Sequence, residues 1–250
     1  MQRIGIMSAI PQEHAALGSA FAAHESVRKI AGLEFAVGSL EDRPVVFVQS
    51  GIGKVNSALV ATLLIQEFGC DGLLFSGVAG GIDPALKVGD IVIGQRLVQY
   101  DYGALANERI TTYQPGVPPL PHVDQTHGYE PDRTLLKRVE AVLAKTDLPK
   151  VTAGDEPRFP AISFGTILSG DTFMNCEATR KRLFEEFSAQ AIEMEGAAIA
   201  QIAERFGVDY LVVRALSDLA GADSHLDFPT FLEEAADIAA TITRAILRVV

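Results

Sequence analysis

The sequence has no tryptophan, two cysteines and 7% aromatic residues among its 250 positions. Cys70 and Cys176 are far apart, which excludes a disulfide framework and predicts two reduced thiols, as in cytoplasmic proteins. No apolar run reaches the roughly 18 residues of a membrane span, and the N-terminal run is too short for a signal peptide. We therefore expect a cytoplasmic protein that does not enter a membrane.

Basic residues are also scarce. There are 21 Lys and Arg against 32 Asp and Glu, which gives a formal net charge of -11, and the pI is near 4.9. No stretch concentrates positive charge, so nucleic acids and anionic membrane surfaces are excluded as partners. The balance favours a small neutral or cationic ligand.

Two common binding motifs are incomplete in this chain. The segment S-G-I-G-K (50–54) has neither the spacing nor the following Ser or Thr of a Walker motif, and it lacks the third glycine of a dinucleotide fingerprint. His122 and His127 have no Cys or acidic companion at metal-ligand spacing. The incomplete motifs argue against NTPase and NAD chemistry, and we interpret the two histidines as loop residues.

Apolar residues make up 48% of the chain, and strand and helix patterns alternate, which predicts one α/β domain over residues 1–250. The predicted strands are 3–7, 27–37 with a break near 31–32, 44–49, 72–76, 88–100, 162–168, 189–192 and 210–216. One predicted helix begins at Pro11. The other predicted helices cover 54–68, 133–144, 177–187, 196–205 and 230–249.

Two segments have an unusual composition for a single α/β domain. Residues 102–131 carry five prolines, and we predict an irregular insertion that is a lid, an interface arm or partly disordered. The helix at 54–68 is apolar on most of its circumference, so it is either internal or faces another subunit. That second alternative predicts a homodimer.

Several acids lie where secondary structure begins or ends. Glu13 is in the opening turn of the first helix, Glu193 and Glu195 open another, and Asp218 follows a buried strand. The helix macrodipole favours anions at such starts, and open α/β sheets bind ligands at the ends of strands. Each acid alone is equally explained as a helix-start charge or a loop cap, so their roles stay open at this point.

Glycine-rich segments follow three strands and suggest close approach of the backbone to a ligand. They are Gly51 and Gly53, a predicted turn at 77–81, and the loop 169–175, which ends in Phe173 and Met174. An aromatic ring and a thioether there either fill the core or stack on a flat heterocycle. His225 and Phe228 follow Asp218 closely enough to reach the same site.

Seven segments together carry a resemblance to a known family: I-G-I-M-S-A-I-P-Q-E, Q-S-G-I-G-K-V-N-S-A, S-G-V-A-G-G, K-V-G-D-I-V-I, L-S-G-D-T-F, I-E-M-E-G-A-A-I-A and V-V-R-A-L-S-D. In content and order they resemble the 5′-methylthioadenosine/S-adenosylhomocysteine nucleosidases of the purine and uridine phosphorylase superfamily. The similarity covers residues 3–99 and 162–250. It implies a three-layer α/β/α fold with a mixed, partly closed β-sheet, and a homodimer.

The resemblance also implies roles for individual residues. Glu13 matches the acid that activates water, Glu195 the acid that binds the ribose hydroxyls, and Asp218 the acid that protonates N7 of the purine. Phe173 and Met174 match the residues that hold adenine. Further matches are Phe228 on the 5′ side, substrate contacts at Ala9, Ile10, Ile52, Val78, Ala79, Gly80, Met194 and Ser217, and supporting roles for Glu193 and Arg214.

The chemistry implied by the family is hydrolysis of an N-glycosidic bond without a metal or organic cofactor, by an acid for the leaving purine and a base for water. A phosphorylase on the same fold would need cations for phosphate. No Lys or Arg lies between Arg3 and Arg28 or within 76–82. Water is therefore the expected nucleophile.

Some positions depart from the family pattern. Ile10, Pro11 and Gln12 replace a row of acids, Val78 replaces a common Ser, and Tyr100 replaces a common His. Residues 102–131 and 148–160, where the family shapes its 5′ pocket, are unlike the usual pattern. A hydrolase of another 5′-modified adenosine, of the aminofutalosine type, stays open, as does a non-catalytic nucleoside-binding or storage protein, although retention of all three acids argues against the latter.

Overall fold

The structure is a computed structural model that describes residues 1–21, 23–123, 127–153 and 156–250, and the side chains of these except 23–25. Its strands are β1 (Ile4–Ser8), β2 (Ala23–Ile30), β3 (Leu33–Leu40), β4 (Arg43–Gln49), β5 (Gly72–Gly81), β6 (Ile91–Gln99), β7 (Gly103–Ala106), β8 (Arg109–Thr112), β9 (Ile162–Ser169), β10 (Ala191–Glu193) and β11 (Asp209–Asp218). Its helices are α1 (Pro11–Gly18), α2 (Lys54–Phe68), α3 (Arg133–Leu143), α4 (Glu177–Phe187), α5 (Gly196–Phe206) and α6 (Ser224–Leu247).

Nine strands form one mixed sheet in the order β10, β9, β6, β11, β5, β1, β4, β3, β2. The parallel strands β1, β5 and β11 are buried along almost their whole length, because helices cover both faces. The short strand β10 pairs with β9 on one side and, antiparallel, with the end of β5 on the other. This second pairing closes five strands, β10, β9, β6, β11 and β5, into a ring. The sheet is therefore partly closed, as the family resemblance implied.

Helices lie on both faces of the sheet. On one face α1, α3 and α6 bury Leu17, Val139 and Ile242 in a common apolar cluster. On the other face α2 and α5 bury Leu64 and Ala200. The prediction of a three-layer α/β/α domain is therefore confirmed, and both Cys70 and Cys176 are free thiols.

The predicted glycine turn at 77–81 is wrong, because these residues continue strand β5. The glycines are needed for space and not for a turn. A Cβ on Gly77 would lie 2.3 Å from Oε1 of Glu13, and one on Gly80 would lie 2.9 Å from Oδ1 of Asp218. The segment therefore lets acids approach the strand from neighbouring elements.

Helix α6 begins at Ser224 and not at Thr230, so the predicted boundary is wrong by six residues. Pro229 lies inside the helix, where it removes one backbone N–H donor. Thr230 donates its hydroxyl to the carbonyl of Leu226 at 2.8 Å, and the buried face of this 24-residue helix supplies the stability. The early start places Phe228 on the helix.

The segment 102–131 contains the β7–β8 hairpin, which the sequence analysis did not predict. Its turn residues, Asn107 and Glu108, both have positive φ (52° and 61°), as in the type I′ hairpin turn. An Asn-Glu pair lacks the usual glycine of that turn, so the signal was weak. Residues 124–126 of this segment, and 154–155 of the segment 148–160, lie outside the described residues.

Within the described part of the chain, no helix combines the length and the apolar character that a membrane crossing requires.

Candidate active site

A cavity lies where strands β1, β4, β5 and β11 end, and β9 and β10 reach the same place from the opposite direction. Its wall consists of Ala9, Ile10, Glu13, Ile52, Val78, Ala79, Gly80, Thr172, Phe173, Met174, Ile192, Glu193, Met194, Glu195, Ser217, Asp218, Ala220 and Phe228. Every residue to which the family resemblance gave a role is present there, except for Arg214, which lies behind the wall. The structure thus brings together acids that are up to 205 positions apart in the sequence (Glu13 and Asp218).

Glu13 is fixed by backbone donors. It is the third residue of α1, and its Oε2 accepts hydrogen bonds from the N–H groups of Ala9 (2.7 Å) and Ile10 (3.1 Å), while Oε1 accepts one from Val78 (2.8 Å). Burial raises the pKa of Glu13, and the charge of Arg214 and the three N–H groups act against that rise. The carboxylate is held in one orientation, as a base must be.

Arg214 organises the acids behind the cavity. Its guanidinium is fully buried, stacks over Phe75 at 4.0 Å from the ring centroid, and donates Nη2 to Glu193 and, at 3.3 Å, to Oε2 of Glu195. Glu193 also accepts from Ser169 and from the N–H of Gly196. One cation therefore faces two buried carboxyl groups, which share its charge.

Glu195 is at the N-cap position of α5, and its side chain lines the cavity. Its Oε1 accepts a hydrogen bond from the N–H of Gly53 at 2.9 Å, so the glycine loop before α2 holds a side chain of its own chain. Burial and the neighbouring charge of Glu193 raise the pKa of Glu195 to about 8. Gly53 has φ of 100°, which a residue with a side chain adopts only with strain.

Asp218 is the last residue of β11, just beyond a bulge in its pairing with β5 between Leu216 and Asp218. The bulge turns the carboxyl toward the cavity. Its Oδ1 accepts from the N–H of Ala220 at 2.8 Å, and its Oδ2 from the hydroxyl of Ser217 at 3.0 Å. Burial raises the pKa of Asp218, which favours the protonated acid.

The rest of the wall is mostly apolar. The rings of Phe173 and Phe228 meet edge to face with centroids 5.8 Å apart, a favourable geometry for aromatic pairs. Ile52 is 51% exposed and Phe173 48% exposed, so this end of the cavity is its mouth. The buried acids lie at the opposite end.

Sequence reasoning missed three wall residues, Thr172, Ile192 and Ala220, and the glycine that makes room for Glu13. Thr172 precedes Phe173 in a loop already marked for ligand binding, so its neighbours were the available signal. Ile192 and Ala220 had no distinguishing signal, because apolar residues at strand ends are ordinary. His225 is not part of the wall, and its Nδ1 lies 3.1 Å from the carbonyl oxygen of Ala222.

No group of three or more metal-ligating side chains is found in the part of the chain that the structure describes.

The fold and the cavity are those of the phosphorylase superfamily, whose family model matches residues 3–248. The 5′-methylthioadenosine/S-adenosylhomocysteine nucleosidase of Mycobacterium bovis is 45% identical over 247 residues, which cover 98% of this chain and 95% of the relative. The chain belongs to this superfamily and, within it, to the family of 5′-methylthioadenosine/S-adenosylhomocysteine nucleosidases, as the sequence segments predicted.

Two solved structures from Helicobacter pylori have the same fold. One is a 5′-methylthioadenosine/S-adenosylhomocysteine nucleosidase with butyl-thio-DADMe-Immucillin-A, at 29% identity and a TM-score of 0.83, covering 99% of this chain and 98% of that one. The other is a futalosine hydrolase, at 28% identity and a TM-score of 0.82, covering 99% and 97%. Relatives on this fold therefore differ in the nucleoside that their names specify.

Proposed function

We propose that this protein hydrolyses the N-glycosidic bond of 5′-methylthioadenosine, S-adenosylhomocysteine or both, and releases adenine and the 5-thioribose product. The observation that carries the proposal is the convergence of Glu13, Glu195 and Asp218 in one cavity with apolar walls. Breaking this bond develops positive charge on the ribose and negative charge on the purine. Carboxyl groups suit both needs, because a protonated one is an acid and an ionised one is an anion.

Asp218 is the proposed proton donor to N7 of the leaving adenine. A donor must hold its proton at the working pH, and burial raises the pKa of Asp218 in that direction. The N–H of Ala220 and the hydroxyl of Ser217 fix the orientation of the carboxyl group. The proton moves from the carboxyl to N7 as the glycosidic bond breaks, so adenine leaves as a neutral base.

Glu13 is the proposed base that accepts a proton from the attacking water. Its three backbone donors and the nearby charge of Arg214 favour the ionised form that a base requires. Burial makes the carboxylate a stronger base than one in water. The water oxygen bonds to C1′ of the ribose, and its proton passes to Glu13.

Glu195 is the proposed ligand of the ribose hydroxyls, which would hydrogen-bond to its carboxyl group at the cavity wall. Glu193 in the wall and Arg214 behind it hold Glu195 in place. Phe173 and Met174 would hold adenine, Phe228 would pack near the 5′ side, and the remaining wall residues would line the substrate. We expect this chemistry to need neither a metal nor an organic cofactor.

Water is favoured over phosphate as the nucleophile. Among the described residues of the cavity wall there is no Lys or Arg, and phosphate binding needs such cations. Arg214 lies behind the wall, where two carboxylates already surround it. Glu13 stands at the place of attack, and its charge would repel a phosphate dianion.

A different 5′ group is the second candidate. The likeness to a futalosine hydrolase supports a substrate of the aminofutalosine type. The cavity mouth between Ile52 and Phe173 is open, and in this single chain it sets no limit on the 5′ substituent. The acids at the closed end act on the ribose and the base, so they serve either substrate.

We also propose a homodimer in the cytoplasm. On α2, Val55 is 81% exposed and Leu59 45% exposed, and Ile52 at the mouth adjoins them. Burying such side chains is favourable by roughly 25 cal/mol per Å² of apolar surface. A second copy over this face would also cover the cavity mouth. Analytical ultracentrifugation at several concentrations measures the association, and a monomer at all of them would contradict it.

The deciding experiment is a panel of 5′-substituted adenosines, with chromatographic detection of adenine in the presence and absence of phosphate. We expect adenine release from methylthioadenosine without phosphate. An absolute requirement for phosphate would establish a phosphorylase. Release only from an aminofutalosine would select the second candidate, and binding without release of adenine would indicate a non-catalytic nucleoside-binding protein.

A further inference from the structure

Lys54, the first residue of α2, is the centre of a charged cluster beside the cavity. Its Nζ lies 2.5 Å from Oδ1 of Asp101 and 3.7 Å from Oδ2 of Asp171. The Lys54 side chain is 17% exposed and that of Asp101 21% exposed, so water screens this pair only in part. One ammonium therefore joins the end of β6 and the loop after β9 to the start of α2.

Backbone bonds extend the cluster to the cavity. The N–H of Lys54 donates to Oδ1 of Asp171 at 2.9 Å, and the N–H of Asp171 donates to Oδ2 of Asp101 at 2.9 Å. The preceding N–H, that of Gly53, donates to Oε1 of Glu195 at 2.9 Å. Two successive N–H groups at the start of α2 thus hold two carboxylates, one in the charged cluster and one in the cavity.

The ammonium compensates the charge of two acids that would otherwise repel each other. Without it, Asp101 and Asp171 carry like charges a few ångströms apart and have reason to separate. Movement of Asp171 would release the N–H of Lys54, and the adjoining Gly53 N–H would shift relative to Glu195. A Cβ on Gly53 would lie 3.2 Å from Oδ1 of Asp171, which shows how tightly the two loops pack.

We propose that Lys54 is a positioning residue that holds Glu195 in place through the backbone of Gly53. Lys54 is absent from the described cavity wall, so it touches no reacting atom. The inference rests on the proposed binding of the ribose hydroxyls by Glu195. This proposal also gives a role to Lys54 in the segment S-G-I-G-K, a segment that matched no phosphate-binding motif.

The test compares two ligands that cannot be hydrolysed. They are C-nucleoside analogues of methylthioadenosine, in which a carbon–carbon bond replaces the glycosidic bond, with and without the 2′-hydroxyl. Calorimetry gives the ratio of their dissociation constants for the wild type, Lys54→Met, Lys54→Arg and Glu195→Gln. Lys29→Met is the matched control, because Lys29 pairs with Glu34 at 2.7 Å on the surface.

We expect Lys54→Met to lower the preference for the 2′-hydroxyl by roughly tenfold, as misplacement of a binding group does. Lys54→Arg should recover most of that preference, and Lys29→Met should leave it unchanged. Adding Lys54→Met to Glu195→Gln should lower the preference no further, because both changes act on one contact.

Equal weakening of both analogues by Lys54→Met would overturn the inference, since general loosening of the loop affects them alike. An unchanged ratio would overturn it too. Adenine release by the wild type tests the proposed function separately, because these analogues report binding and not turnover. If the wild type binds the pair and favours the 2′-hydroxyl but releases no adenine, the proposed hydrolysis fails and the role of Lys54 is still decided.

Discussion

Two ionic clusters in this protein differ in their ratio of cations to carboxyl groups. Asp90 pairs with Arg158, and its two oxygens also accept the N–H groups of Ala161 (2.9 Å) and Lys87 (2.9 Å). The cavity cluster has one cation, Arg214, for Glu193 and Glu195, with Glu13 close by. The first matches one cation to one buried carboxylate whose other contacts are backbone N–H groups, whereas the second has more carboxyl groups than cations and faces a cavity. We therefore expect the first cluster to stabilise the fold and the second to serve a ligand.

The largest expected effect is that of Asp218→Asn on turnover. The amide keeps the shape of the acid but has no proton to give N7, so kcat should fall by about 10²–10⁴-fold with little change in KM. Steady-state rates of adenine release measure it. A rate like that of the wild type would show that the proton comes from another group, and calorimetric unfolding checks that the variant is folded.

Asp90→Ala should show the opposite pattern. It leaves the charge of Arg158 and two backbone N–H groups without their acceptor, and we expect a loss of about 2–4 kcal/mol in the free energy of unfolding. Urea denaturation measures this loss. Turnover per folded molecule should stay near that of the wild type, and a large fall in kcat without loss of stability would break the distinction between the clusters.

Gly77→Ala tests how closely the acids must approach β5. The new Cβ would lie 2.3 Å from Oε1 of Glu13 and 2.4 Å from Nη1 of Arg214, so these groups must move. Displacement of the base should lower kcat by roughly tenfold to a hundredfold. Gly18→Ala is the control for a glycine substitution without crowding, since its Cβ would make only an ordinary contact, at 3.6 Å from Cε1 of Phe47. Equal kcat values for the two variants would contradict the crowding argument.

The pH profile is the smallest and most detailed test. Glu13 must be ionised, so activity falls as the pH drops through its pKa, which burial raises above the ordinary 4.5. Asp218 must be protonated, so activity falls as the pH rises through its pKa, which burial raises above 3.8. We expect a bell-shaped profile of kcat/KM. Asp218→Asn should lose the alkaline limb in its residual activity, and retention of that limb would assign it to another group.

Sequence patterns predicted the elements that end in site residues, and the family resemblance supplied the residues themselves. The order of segments identified Glu13, Glu195 and Asp218 because each follows a recognisable strand or begins a helix. The continuation of β5 through Gly77 was missed, because glycines that make room for distant side chains look like glycines in a turn. The start of α6 before Pro229 was missed because proline commonly marks the first turn of a helix.

The contacts that fix the acids join distant parts of the chain. The bond from Gly53 to Glu195 spans 142 positions, and the bond from Val78 to Glu13 spans 65. Such long-range contacts form slowly, because the intervening chain must first lose its freedom. The three-residue strand β10 meets Gly80 and Gly81 only when the sheet closes. We therefore expect the catalytic centre to be among the last parts to assemble during folding, and incomplete chains to have no partial activity.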